Sequence, residues 1–416
     1  MKDDKEVERF LIKEYFYIHK IGLAYVPWDK ESAIISIFQY AIYLIVLSIS
    51  TALLGYTAFL TIDDIALFSQ DLHITLICVV AIINIINNSM IYRNDMVEIH
   101  KNLMNGLCNY ETGEFYEGEK KNIFKQKKFL LLFWPLYYGF CASMAIVIGP
   151  LMDSYYGVDA VHTSYPQVYL KLPFAMWTPF DMGSQVPLHL ILSVFQAFMV
   201  IINNLTISAG VAMYVVVLNY LCLHLNLLTN SIDNLDVRAT ELYKVRQGNR
   251  ASSKLDRVLY NKCYNDCLIE NIKHHQSILR LHKMYVNLSS VPLFVPFIAG
   301  AVLMSMAVVH FMSDDVRIGP KLTSGTVVFG EMLNMLMLCV YGEKLKLLSE
   351  GARDTIYSIR WYEMDKECHQ TVSIFQQATL KPMNVKCVYL LDINMETFAT
   401  LINSTYSYIN LVYAFK

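Results

Sequence analysis

The residues of this chain that could do chemistry are few, and they do not form a catalytic set. Cys263 and Cys267 precede His274 and His275. The residue types suit zinc, but the spacing sets them along one helix in a reducing compartment, which favours packing over a metal. There is no nucleophile elbow, no HExxH and no GxxxxGK[ST]. The expectation is a protein that is not an enzyme and holds neither cofactor nor metal. Glu331 stands apart, about ten residues into a long apolar run, and an acid at that depth in a membrane marks either a function or an unseen partner. Thr400, Ser404, Ser407, Leu411 and Phe415 are separated by four, three, four and four, so they share one helical face. If copies of this face surrounded an axis, the hydroxyls would line a wet vestibule and Leu411 with Phe415 an apolar constriction. The same small hydroxyl and amide groups also serve plain helix association. The face has no acid, while Asp392 and Glu396 lie near its inner end, so a pore here would favour cations weakly.

The elements that must position these residues are set by lipid. Of 416 residues 55% are hydrophobic and only 17% charged, with a mean hydropathy of +0.36, well outside the soluble range. The charged start lacks the apolar core of a secretory signal, so the first long apolar run must direct insertion, with nothing cleaved. Basic residues form no dense patch with interleaved aromatics, which excludes a nucleic-acid partner. Apolar runs at about 32–62, 72–92, 129–152, 188–228, 284–312, 322–342 and 397–415 each reach the length needed to cross a bilayer. Lys and Arg in the successive segments outside them number 6, 0, 7, 1, 10, 2, 7 and 1. The positive-inside rule then puts the amino terminus in the cytoplasm and the carboxyl terminus outside. The expected fold is all-α: seven transmembrane helices in an orientation opposite to a G-protein-coupled receptor, in a single domain without internal repeats.

A cytoplasmic helical region is expected at about 228–283 and 343–396. Within it Leu228, Ile232, Leu235, Ala239 and Leu242 repeat at four, three, four and three, a heptad-like seam that suits a hairpin packed on itself or an assembly platform. A breaker follows at 248–253. The nine cysteines all fall in spans or cytoplasmic segments, where no external disulfide can form. The sequons at Asn87, Asn204, Asn287 and Asn403 lie inside spans, and none is expected to carry a glycan. The outer halves of the second, third, fourth and sixth spans hold Ile77, Val80, Ala81, Phe140, Met144, Ile148, Phe195, Met199, Phe329 and Met332. These suit an apolar small-molecule pocket, and equally suit helix packing.

Several motifs carry a family resemblance. The sixth span and its continuation read Met337-Leu338-Cys339-Val340-Tyr341-Gly342-Glu343, then Ser349-Glu350, Ile356-Tyr357 and Trp361-Tyr362. Pro382, Thr397-Phe398 and Ser404-Thr405-Tyr406-Ser407-Tyr408 follow. Together with Leu172-Pro173-Phe174-Ala175-Met176-Trp177-Thr178-Pro179-Phe180-Asp181 before the fourth span, this series resembles the insect odorant receptors. The resemblance implies an odorant-gated, non-selective cation channel in which a tuning subunit joins a shared co-receptor in a heterotetramer. It implies a plasma-membrane protein of the olfactory sensory neuron dendrite, with a small volatile apolar odorant and membrane lipid as further partners. By the same resemblance the seventh span lines the pore, Leu411 and Phe415 form the gate, and Tyr341, Trp361, Tyr362, Tyr406 and Tyr408 belong to anchor and assembly surfaces. The outer apolar set becomes the odorant pocket as a region. The co-receptor carries a longer second cytoplasmic loop than the roughly 55 residues between Leu228 and Lys283, so the chain looks like a tuning subunit. Two alternatives stand: a gustatory-type channel, which Thr405-Tyr406-Ser407-Tyr408 disfavours, and a metabotropic receptor, which the charge alternation disfavours.

Overall fold

The computed structural model describes residues 30–110, 113–156, 165, 167–170, 172–180, 186–248, 256–312, 318–388 and 390–414. Seven long helices among the described residues occupy the seven apolar runs. They are α1 (Lys30–Leu60), α2 (Ile65–Ile86), α4 (Glu114–Ser143), α6 (Val186–Asp233), α8 (Arg257–Met312), α9 (Ile318–Ser358) and α11 (Met395–Ala414). Shorter helices α3 (Arg93–Asn105), α5 (Gly149–Tyr155), α7 (Leu235–Gln247) and α10 (Lys366–Ala378) join them, with hairpins β1 (Val168–Tyr169)–β2 (Met176–Trp177) and β3 (Lys386–Cys387)–β4 (Leu391–Asp392). Among the described residues five segments are long and apolar enough to cross a membrane by themselves: Ile37–Leu60, Leu67–Ile86, Glu114–Tyr155, Pro187–Asp233 and Ile318–Glu363. α11 falls outside that set, since Thr397, Thr400, Asn403, Ser404, Thr405, Ser407 and Asn410 dilute its apolar residues.

The helices outrun the apolar runs. α8 continues unbroken for 56 residues through the expected cytoplasmic stretch, and α9 runs on to Ser358. Hydropathy detects only the part that meets lipid, whereas the backbone ladder persists wherever packing supports it. α6 is the central helix: from Val211 to Leu218 every residue is buried, as expected of a helix apolar all round. Below it the seam closes on the chain itself. Leu228, Ile232, Leu235 and Ala239 are buried and Leu242 is half-buried in the main core, against α8. α7 then ends at Gly248, whose φ of 57° takes the left-handed conformation that glycine tolerates best.

Without a hydrophobic drive between helices in lipid, close approach and polar pairing must supply the cohesion. A Cβ on Gly319 would lie 2.6 Å from the Gly149 carbonyl oxygen, so the start of α9 rests backbone against backbone on α5. The Gly319 N–H also donates to Asp153 Oδ1 at 2.8 Å. At the opposite end of the bundle Arg238 donates to Ser231, Asn271 and Glu270 and lies over the Tyr110 ring. Tyr110 Oη and His274 Nδ1 are 2.5 Å apart, and His274 Nε2 is 3.2 Å from His224 Nδ1.

Two predictions follow from this packing. Gly319→Ala should destabilise the fold by about 1–3 kcal/mol, because neither backbone can give way; a lowered melting temperature of the purified protein in detergent checks it. Burial, followed by the neighbouring His224 and His275, pushes His274 down to about 3, and burial alone pushes His275 down to about 4. Both folded values lie below the free imidazole value, so the unfolded chain takes up protons first. Their stabilisation is whole above about pH 6.5 and drains away as the pH falls toward 4. The melting temperature should therefore decline across that window, and His275→Leu should flatten the slope.

Candidate functional site

Glu331 has a partner. His73 of α2 faces it across the bundle, with Nε2 2.8 Å from Glu331 Oε1, and the two side chains are only 5% and 20% exposed. A lone carboxylate among apolar helices is costly, and a short charge-assisted hydrogen bond offsets that cost. The pairing uses one oxygen. Oε2 of Glu331 is buried without a hydrogen-bond partner.

Beside this pair five helices line a cavity of about 150 Å³. α9 lines it with Thr323, Val327, Glu331 and Asn334, at spacings of four, four and three that mark one helical face, and with Met335 beside them. α2 contributes Ile74, Leu76, Ile77 and Val80, and α4 contributes Tyr138, Cys141 and Ala142, with Ala145 just beyond it. α6 adds Met199, Val200, Asn203, Asn204 and Ile207. Pro296 and Gly300 of α8, four apart, keep the fifth wall low. The wall is apolar except at a few points, which is the usual make-up of a small-molecule site. A cavity of about this volume lined by apolar side chains holds a molecule of benzene's size.

One end is closed by the segment before α6. Phe174 is buried in the cavity wall, and the side chain of Gln196 grips its backbone twice, accepting from the N–H at 3.0 Å and donating to the carbonyl at 2.9 Å. The Trp177 N–H donates to Thr57 Oγ1 at 2.8 Å, and its ring meets Tyr56 edge-on. At the other end Gly300 touches two helices at once. A Cβ there would lie 2.4 Å from Met335 Cε and 3.6 Å from Leu401 Cδ1 of α11.

Of the residues expected from the sequence, Ile77, Val80 and Met199 line the cavity. Ala81 is buried beside it in the α1–α2 core, and Met332 packs half-buried on the main core. Phe195 is half-buried on α6, while Phe140 and Phe329 point outward, 46% and 51% exposed. Met144 and Ile148 are half-buried at the two ends of a π-helical turn. That turn inserts an extra residue and rotates the helix phase, so Ala145 is the one that enters the wall. His73, Tyr138, Cys141, Phe174, Asn203 and Asn334 were not expected. The solitary acid at 331 was the available signal for His73, and the loop motif for Phe174.

On α11, Leu401 is buried against the main core, whereas Thr400, Ser407 and Leu411 are exposed and Ser404 is half-buried. Phe415 lies outside the described residues. Thr400 and Ser407 donate to the carbonyls of Glu396 and Asn403 one turn back, which satisfies each hydroxyl within the helix. Tyr406 and Tyr408 are exposed. Tyr341 is half-buried and its hydroxyl is 3.4 Å from Gln126 Oε1. Trp361 stacks edge-on between Tyr362 and His369, and Tyr362 is 64% exposed.

The chain is similar to a set of sensory receptors. A family profile described as 7tm Odorant receptor matches residues 64–406. Odorant receptor 33a of Drosophila melanogaster is 21% identical over 149 residues, 36% of this chain and 39% of that protein. Odorant receptor 67c of the same fly is 18% identical over 321 residues, 77% of this chain and 71% of that protein. Odorant receptor Or1 of Anopheles gambiae is 21% identical over 142 residues, 34% of each chain. The match thus spans about two fifths of the length of the first of these relatives. The fold is that of the olfactory receptor OR5 from Machilis hrabei in complex with eugenol, with a TM-score of 0.78, 12% identity and full coverage of both chains. A second structure of the same receptor gives a TM-score of 0.77 over 99% of each chain. With most of its length inside the profile and its whole length on this fold, the chain belongs to the 7tm odorant receptor family of insects.

Proposed function

We propose that this chain is the odorant-binding, tuning subunit of a ligand-gated, non-selective cation channel formed with the odorant receptor co-receptor, as a heterotetramer in the dendritic plasma membrane. The observation that carries the reading is the mainly apolar cavity beside Glu331, walled by Phe174 and by Gly300, where a Cβ would meet both Met335 of α9 and Leu401 of the helix that holds the hydroxyl face. OR5 was solved with eugenol, and a ligand of that kind, small and mainly apolar, fits the chemistry of this cavity. The uncovered Thr400, Ser407 and Leu411 support a pore lining, since hydroxyls on a lipid-facing stripe would gain nothing. The alternation of Lys and Arg supports an inward amino terminus and an outward carboxyl terminus. The exposed Tyr362, Tyr406 and Tyr408 are available to neighbouring subunits.

Binding opens such a channel only through a difference in odorant affinity between closed and open states. The Gly300, Met335 and Leu401 contact is the shortest route for that difference. A ligand pressing on Met335 acts beside Gly300, where α8, α9 and α11 come together. No group here performs bond chemistry, and each CH₂ that the apolar wall buries contributes about 0.8 kcal/mol.

Odorant-evoked whole-cell current with G-protein signalling blocked tests the reading. Rapid cation current should require both this chain and a co-receptor. Current lost under the block would favour a metabotropic receptor. Gly300→Ala pushes a methyl group against Met335 Cε and should shift the odorant dose–response curve by about threefold to thirtyfold, in line with a modest overpacking cost, while the chain still reaches the cell surface. Leu411→Ala with Phe415→Ala should raise basal current or alter ion preference and block; unchanged currents would remove these residues from the gate.

A further inference from the structure

The cavity wall holds buried acceptors that no donor meets. Glu331 Oε2, Asn334 Oδ1 and Asn203 Oδ1 are all buried acceptors without a donor, and all three residues line the same cavity. Glu331 and Asn334 stand one turn apart on α9. Asn203 stands on α6, its amide already donating to Cys78 Sγ and to the Met199 carbonyl. Its oxygen therefore cannot be exchanged for its nitrogen without losing those bonds. A carboxylate accepts up to four hydrogen bonds, and His73 supplies Glu331 with one. The remaining wall near Ile77, Val80 and Met199 is apolar.

We infer that the cavity selects odorants that carry a hydrogen-bond donor, an alcohol, phenol or amine group, on an apolar body of about benzene's size, and that Glu331 recognises the donor. The inference rests on the reading of this cavity as the odorant site. An N–H or O–H entering beside Glu331 meets an acceptor that lacks a donor, after a small turn of the carboxylate. An ether or aldehyde of equal size brings only acceptors and leaves these acceptors without a donor. Sites built to hydrogen-bond a ligand group reject analogues that lack it far more strongly than apolar pockets reject a change of size. Selection here would then be by polarity first and shape second.

The test is the current of the channel assembled with a co-receptor, driven by a size-matched series: benzyl alcohol, benzylamine, benzaldehyde, methoxybenzene and toluene. The expected result is that the alcohol or the amine activates at a concentration at least tenfold lower than the aldehyde, the ether and toluene. Glu331→Leu should collapse these curves onto one another. Glu331→Gln, which keeps an acceptor and loses the charge, should retain the preference for the alcohol and lower that for the amine. A wild-type channel that ranks aldehyde or toluene with the alcohol, or answers none of the series, overturns the inference. So does a Glu331→Leu channel that keeps the preference. If Glu331→Leu fails to reach the surface, the wild-type ranking and Glu331→Gln decide. Ala142→Phe separates the two readings, because it fills the cavity. It should silence every active compound, and if responses persist the cavity is not the odorant site, whatever the ranking.

Discussion

A carboxylate held inside an apolar bundle has to find a partner, and the Glu331–His73 hydrogen bond is the arrangement on which this structure turns. It binds α9 to α2, the two helices on which the cavity's charged pole is built. It also fixes the rotation of both helices. With Glu331 turned inward, Val327 and Asn334 follow onto the same wall; with His73 turned inward, Ile74 and Ile77 lie close enough to follow. A helix rotated by a third of a turn would expose the acid to lipid and dissolve the cavity.

The rest of the bundle holds α9 where that bond requires it. Three of its glycines do this by proximity rather than by attraction. A Cβ at Gly319 would strike Gly149, one at Gly330 would lie 2.4 Å from the Tyr137 ring, and one at Gly342 would lie 2.1 Å from the Ile393 carbonyl oxygen. Tyr137 then donates to the Thr326 carbonyl at 2.5 Å. Pinned along its length, α9 has one face in the cavity and also packs against α11. A helix so placed can pass a change in cavity occupancy to the last helix without any large rearrangement, because packed interfaces switch between discrete arrangements more readily than they deform.

Much of this was legible in the amino-acid pattern, for reasons of solvent. Lipid demands long apolar runs with every backbone group paired internally, so the seven helices and the position of the solitary acid could be read directly. The heptad-like seam from Leu228 to Leu242 was legible too, since its periodicity is local. A helical stretch leading back into the fifth span was legible as well, and it joins that span in α8 although its first half is polar and packs on α6, α7 and α10. Pocket membership was harder. Ile77, Val80 and Met199 could be placed in the wall by type and depth, but Phe140 and Phe329 have the same type and depth and point away. Only helix phase separates the two groups, and the π-helical turn from Met144 to Ile148 shifts that phase without any proline or glycine inside it to announce it. The polar members Asn203 and Asn334, and His73 as the partner of Glu331, are ordinary residues in sequence and acquire meaning only beside that acid.

The central claim is that this cavity holds the odorant and that α11 lines the path of the ions. An electron cryomicroscopy structure of the chain assembled with a co-receptor and an activating odorant tests it most directly. The account predicts ligand density enclosed by Glu331, Ile77, Met199 and Phe174, and a central axis faced by Ser407 and Leu411. Density at another site, or an α11 whose hydroxyl face is buried against lipid or its own subunit, would contradict it.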